Sequence, residues 1–246
     1  MMRSENVKAA LRTKVIEYKH GDVGLKGYLA FDDAIKGKRP GVLVVHCFRG
    51  LRDFVKERAE ELAKLGYIAF AIDMYGMIPK DDEEAFATAG IYKNNRPLMR
   101  SRANAGLEVL RKHELTDAKR IAAIGYCFGG GVVLELARSG ADMVGVVGFH
   151  AVLNTPNPAD AKNIKGKVLA LHGADDPVVP TDEVLAFQDE MRKAKVDWQM
   201  MFYGGAVHGF TMPESGTDHS KRAAYNEKAD KRSWEAMKSF FAEIFK

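Results

Sequence analysis

Two cysteines in 246 residues, Cys47 and Cys127, are too few for a disulfide framework. Each must be explained by packing or by reactivity, and a reducing compartment suits both. Long apolar runs are missing as well. No segment approaches the roughly 18 consecutive apolar residues of a membrane span, and the opening MMRSENVKAALRTKV has no apolar core of leader-peptide length. The expectation is a cytoplasmic protein with no membrane partner. Nor does one sign of charge dominate: 37 Lys and Arg against 33 Asp and Glu leave a net charge of +4, and the basic residues are scattered. Without a basic block or an aromatic-interleaved stripe, no nucleic-acid partner is expected. CxxC, HxxxH and HExxH pairs are also lacking, so His46, His150 and His172 form no metal-ligand pattern with the cysteines. The chain is read as having no metal and no cofactor.

What the chain does have is 46% hydrophobic residues, enough for one large core, which predicts a single α/β domain over residues 1–246. Residues 14–33 alternate about Gly21 and Gly24, predicting an antiparallel hairpin. GVLVVHC after Pro40 is an apolar run suited to a strand covered on both faces, and further strands are expected at YIAFAID, from Lys119 to Tyr126, and at MVGVVGFH, KVLALHG and DWQMMFY. Helical spacing lies between them. Asp53 is expected to cap a helix to about Leu65, Asp81 to Glu84 to open a short one, and Pro97 to begin one ending near His113. Further helices are expected before Gly140, over Thr181–Ala194 and over Tyr225–Phe245. The implied fold is a mostly parallel central sheet with helices on both faces and the hairpin as an antiparallel edge. Ligands of such sheets bind beyond the carboxyl ends of the strands, where Cys47, Asp73, Cys127, His150, Asp176 and His208 all fall.

The sharpest signal is IAAIGYCFGGG, residues 121–131: a buried strand turning abruptly into a helix through Gly125, Cys127 and Gly129. A corner of this kind forces strained backbone on the residue at its tip and exposes its side chain, while a β-carbon at either flanking glycine would collide with neighbouring backbone. The thiol therefore stands near a helix N-terminus, where unpaired N–H groups and the helix dipole favour a thiolate. Cys127 is read as a nucleophile. Such a thiol needs a base, and the base an acid to fix its tautomer. Asp176 in GADDPVVP and His208 in YGGAVHGF supply them, in the order nucleophile, acid, histidine known from α/β-hydrolase sheets. Asp175 is assigned to loop hydrogen bonding and Asp73 to fixing a strand-end turn.

The segments GYCFGG, HGADDPVVP and GGAVHGFTM, with PGVLVVHCFRGL and LGYIAFAIDMYG, resemble the dienelactone hydrolase family of the α/β-hydrolase superfamily, from about Lys14 to Phe245. The resemblance implies an α/β-hydrolase fold and a small-molecule ester or lactone substrate, with Cys127 as nucleophile, His208 as base and Asp176, preferred to Asp175, as its acid. It also implies an oxyanion hole from the backbone N–H groups of Phe48 and Phe128. Departures accompany it. Where the family often carries a glutamate that partners the resting thiol, this chain has Cys47. Where founding members hold a substrate carboxylate with two arginines, it has Met77 and Met212. The expected pocket is correspondingly apolar, with Cys47, Arg49, Met77, His150 and Met212 as candidate lining residues. Cys47 is read chiefly as packing, with a regulatory disulfide to Cys127 left open. The rival to an ester hydrolase is a weakly catalytic redox-sensing or ligand-binding protein on the same fold, and acyl transfer to another acceptor is a third reading. Oligomeric state is not encoded in any of these features.

Overall fold

The apolar runs form one sheet of eight strands: β1 (Leu11–His20), β2 (Val23–Asp32), β3 (Arg39–Val45), β4 (Ile68–Ile72), β5 (Thr116–Tyr126), β6 (Gly145–Phe149), β7 (Lys167–Gly173) and β8 (Trp198–Tyr203). The computed structural model describes residues 10–246. Residues 1–9, on which the leader-peptide reading and the start of the expected domain fall, lie outside the described residues. The spatial order is β1-β2-β4-β3-β5-β6-β7-β8. β1 and β2 pair antiparallel as the predicted hairpin, β2 joins β4 antiparallel, and every later pairing is parallel. This is the α/β-hydrolase architecture expected from the sequence.

Among the described residues six α-helices cover the sheet: α1 (Asp53–Lys64), α2 (Asp82–Asn94), α3 (Arg96–Lys112), α4 (Phe128–Arg138), α5 (Thr181–Ala194) and α6 (Glu227–Ile244). Successive strand residues point to opposite faces, so each central strand feeds two cores. Leu43, Val45, Phe70, Ala123 and Val168 face a core completed by α3, α4 and α5. Val42, Val44, Ala69, Ile124 and Leu169 face one completed by α1 and α6. Both faces being dry explains why these strands read as unbroken apolar runs.

Several boundaries differ from the reading of the sequence. Asp53 does not cap α1: Arg52 is the N-cap residue, without a side-chain cap, and Asp53 begins the helix with its carboxylate on Lys56 at 3.0 Å. α2 is longer than the short turn expected, because Asp81 caps it by accepting the Glu84 N–H at 2.9 Å while Glu84 accepts the Lys80 N–H at 2.7 Å. β5 starts at Thr116, three residues before Lys119.

The corner after β5 is as crowded as its glycines imply. A β-carbon on Gly125 would lie 2.1 Å from the Gly129 carbonyl oxygen, and one on Gly129 would lie 2.3 Å from that of Val45. Behind the corner, α4 is pinned by a fully buried arginine. Arg138 donates to both carboxylate oxygens of Glu190 at 2.8 Å, to Glu135 at 3.1 Å and to the Leu153 carbonyl at 2.9 Å. Removing one member of a buried ion network strands the others unpaired in low dielectric. Arg138→Met is expected to cost about 3–5 kcal/mol in urea unfolding. A loss under about 1 kcal/mol would show that this network is energetically idle.

Candidate active site

Cys127 sits at φ 54°, ψ −113°, a backbone region that residues bearing a β-carbon rarely adopt. Its amide donates to Phe149 at 3.0 Å, and its carbonyl accepts from Gly131 and Val152, each at 3.3 Å, so neighbouring segments hold the strain in place. The following Phe128 is buried while Cys127 remains partly exposed. This directs the sulfur out of the core, above the carboxyl ends of the strands.

Two further loops converge on it. The loop after β7 carries Asp176, whose Oδ1 accepts the N–H groups of Val178 at 2.8 Å and Val179 at 3.3 Å. Its Oδ2 lies 2.7 Å from Nδ1 of His208, in the loop after β8. A carboxylate only accepts, so Nδ1 carries the proton and Nε2 is left to face the thiol. Asp175 ties the two loops together, its carboxylate accepting the Gly205 N–H at 2.8 Å and its own N–H donating to Ala206 at 3.1 Å. Nε2 of His208 is buried without an aligned hydrogen bond. The charges of Cys127 and His208 nonetheless act on one another.

Burial works against charge on both groups and loses. For Cys127, burial raises the thiol, but the His208 charge and hydrogen bond, the Lys93 ammonium and the Phe128 N–H together bring it below its ordinary value. For His208, burial lowers the imidazole, while the Cys127 sulfur and the Asp176 carboxylate outweigh it and push it up to about 10. Both shifts run toward the charged forms, the thiol downward and the imidazole upward.

The loop after β3 supplies the opposite wall. His46 donates from Nδ1 to the Cys47 carbonyl at 2.6 Å and accepts the Met74 N–H at Nε2 at 3.1 Å, and burial lowers its pKa, so it is a neutral brace. Tyr75 donates to the Phe48 carbonyl at 3.1 Å, and the Phe48 ring stacks on Phe86 of α2 at 4.4 Å. Among the described residues no protein acceptor takes the Phe48 N–H. Asp73 fixes the next turn by accepting from Tyr75 at 2.8 Å and Gly76 at 2.9 Å.

The candidate pocket residues are distributed differently from the expectation. Cys47 is buried and lines a cavity of about 320 Å³ with Arg49, Arg52, Phe54, Lys80 and Glu214. Neither Met77, which is 43% exposed, nor the buried Met212 lines it, and none of Cys127, Asp176 and His208 does, so it is not taken as the substrate chamber. The charged loops after β3 and β4 and the turn at 213–215 supply its walls. Arg49 is committed to Asp82 through two 2.7 Å hydrogen bonds and offers no free charge. His150 is fully buried at φ 38°, its ring 5.2 Å from that of His208 and its Nε2 2.8 Å from Thr211 Oγ1. It packs behind the imidazole. A groove of about 780 Å³ between α1 and the 213–215 turn is larger, but none of Cys127, Asp176 and His208 lines it, so the chemistry is not placed there. Thr211, Tyr75, Lys93 and the bracing role of His46 were not anticipated. Of these only His46, a polar residue ending an apolar run, carried a signal in the sequence. Among the described residues no three His, Cys, Asp or Glu side chains are grouped to hold a metal.

Comparison with known proteins agrees with this fold. The solved structure named m3DLH is 41% identical and superposes with a TM-score of 0.93, covering 96% of this chain and 100% of its own. A dienelactone hydrolase-like promiscuous phosphotriesterase from metagenomic libraries is 40% identical, with a TM-score of 0.90 over 96% of this chain and 100% of its own. Dienelactone hydrolase from Anabaena variabilis, at 18% identity and a TM-score of 0.72 over 96% of this chain and 99% of its own, shares the fold. The profile of the dienelactone hydrolase family matches residues 25–245, and this chain belongs to that family of hydrolases.

Proposed function

We propose that the chain hydrolyses carboxylic esters or lactones of small molecules through a covalent thioester, with Cys127 as nucleophile, His208 as acid and base, and Asp176 as the group that orients His208. The observation that supports this reading is that Asp176 holds Nδ1 of His208 at 2.7 Å and leaves the opposite ring nitrogen, buried and without a hydrogen-bond partner among the described residues, for the Cys127 sulfur. The thiolate attacks the carbonyl carbon, and the N–H groups of Phe48 and Phe128 receive the charge that develops on oxygen. The C–O bond to the leaving group breaks as His208 delivers its proton to the departing alkoxide. Neutral His208 then takes a proton from water, the hydroxide adds to the thioester, and cleavage of the C–S bond restores the thiolate–imidazolium pair. Among the described residues no helix is long and apolar enough to cross a membrane. We place the protein in the cytoplasm, where both thiols stay reduced.

The same thiolate and donors suit attack on an activated phosphotriester, a reading favoured by the 40% identity to a protein named for that activity. Aryl esters and aryl dialkyl phosphates assayed side by side rank the two.

Alkylating Cys127 with iodoacetamide is expected to abolish aryl-ester turnover, and full labelling with activity intact removes this mechanism. Asp176→Asn is expected to lower kcat by on the order of 10³–10⁴ with KM little changed, because the wrong imidazole tautomer is then favoured.

The ion pair has its own signature in the ultraviolet absorbance of the thiolate, followed against pH. In the native chain the thiolate should form below the ordinary thiol value of about 8.5. Without the cation of His208, burial is the larger influence, so the His208→Ala midpoint should move above that value. Lys93→Gln should move it up by less. An unmoved midpoint in His208→Ala would show that the imidazole does not hold the charge.

A further inference from the structure

Cys47 takes no part in the chemistry proposed above, yet it stands beside the nucleophile. β3 and β5 are parallel neighbours whose register pairs Val44 with Ile124 and Val45 with Gly125. Continued two residues beyond these pairs, the register would bring Cys47 opposite Cys127, adjacent strands being about 5 Å apart. The corner stays against the exit of β3: a β-carbon on Gly129 would lie 2.3 Å from the Val45 carbonyl oxygen and 2.5 Å from that of His46. A disulfide requires Cα atoms roughly 4.4–6.8 Å apart, a range that includes this spacing. Both thiols are free, and Cys127 is among the groups that raise Cys47. Exposure divides their roles. Cys127 is reachable from solvent, while Cys47 is 6% exposed, so a small oxidant meets Cys127 first.

We propose that Cys127 and Cys47 form a modification site for hydroperoxides, in which a reversible disulfide takes the nucleophile out of service. The inference rests on the reading of Cys127 as a reactive thiolate. That thiolate attacks one peroxide oxygen: an S–O bond forms, the O–O bond breaks, and the leaving hydroxide takes the His208 proton to become water. The sulfur has lost two electrons to the peroxide and is now a sulfenic acid. The Cys47 sulfur then attacks it, the S–S bond forms as the S–O bond breaks, and the departing hydroxide leaves as a second water with the Cys47 proton. The order is built into the electrostatics. Burial first, and the neighbouring Cys127 charge second, push the Cys47 thiol up to about 12, so it stays protonated while Cys127 is a thiolate. Oxidising Cys127 removes that charge and makes Cys47 easier to ionise only when it is needed.

The test treats the full chain with several molar equivalents of hydrogen peroxide, counts thiols after denaturation, maps peptides by mass, and assays aryl-ester turnover before and after dithiothreitol. Both thiols should disappear together into one peptide linking Cys47 to Cys127. Turnover should fall by roughly tenfold or more and return on reduction. In Cys47→Ser, Cys127 should run on to sulfinic acid, which dithiothreitol does not reverse. The proposal is overturned if the native chain gives sulfinic acid at Cys127 with Cys47 still free, at the rate of Cys47→Ser, or if neither thiol reacts. A linked peptide in a chain that never cleaved esters would leave the modification site standing and remove the hydrolase reading. Turnover with no linked peptide would do the reverse.

Discussion

The left-handed backbone at Cys127 is the constraint on which the site depends. A residue with a β-carbon is held at φ 54° because the chain has no room to relax: Gly125 and Gly129 already touch across the corner, and Gly129 lies against the end of β3. Strain of this sort costs on the order of 1–3 kcal/mol and persists only where packing over-determines it. Here the dry α4 face and the buried Arg138 network provide that packing. The stability of the helix behind the corner and the exposure of the sulfur in front of it are thus linked.

Electrostatics completes what the backbone begins. Burial opposes both the thiolate and the imidazolium, so neither would be charged alone in this place. Each is the largest influence that favours charge on the other. Asp176 extends the arrangement by one group, and two backbone N–H donors plus Nδ1 leave its carboxylate well satisfied. His150 and Thr211 back the imidazole from the buried side and restrict where its ring can lie.

The sheet was legible because each central strand is dry on both sides and each connection is marked by glycine, proline or a change of hydrophobic period. The placement of Cys127, Asp176 and His208 at one sheet edge was legible because a strand-to-helix corner and two strand-end loops confine them there whatever the intervening helices do. What escaped depends on distance between loops. That Arg49 is bound to Asp82, that Lys93 influences the thiol, and that Phe48 lies on Phe86 are facts about how α2 sits over the β3 loop. No local pattern encodes that placement. Asp53 was misjudged as a cap because a carboxylate one residue inside a helix favours the same dipole as one at the cap itself.

The contacts between α2 and the β3 loop also bear on how selectivity is set. The Phe48 ring is stacked on Phe86, and its neighbour Arg49 grips the first turn of the same helix. The β3 loop, with the amide proposed above as an oxyanion donor, and α2 are therefore a single mechanical unit. A substrate that displaces the helix displaces the donor with it, so a poorly shaped acyl group would be rejected through slow turnover more than through weak capture.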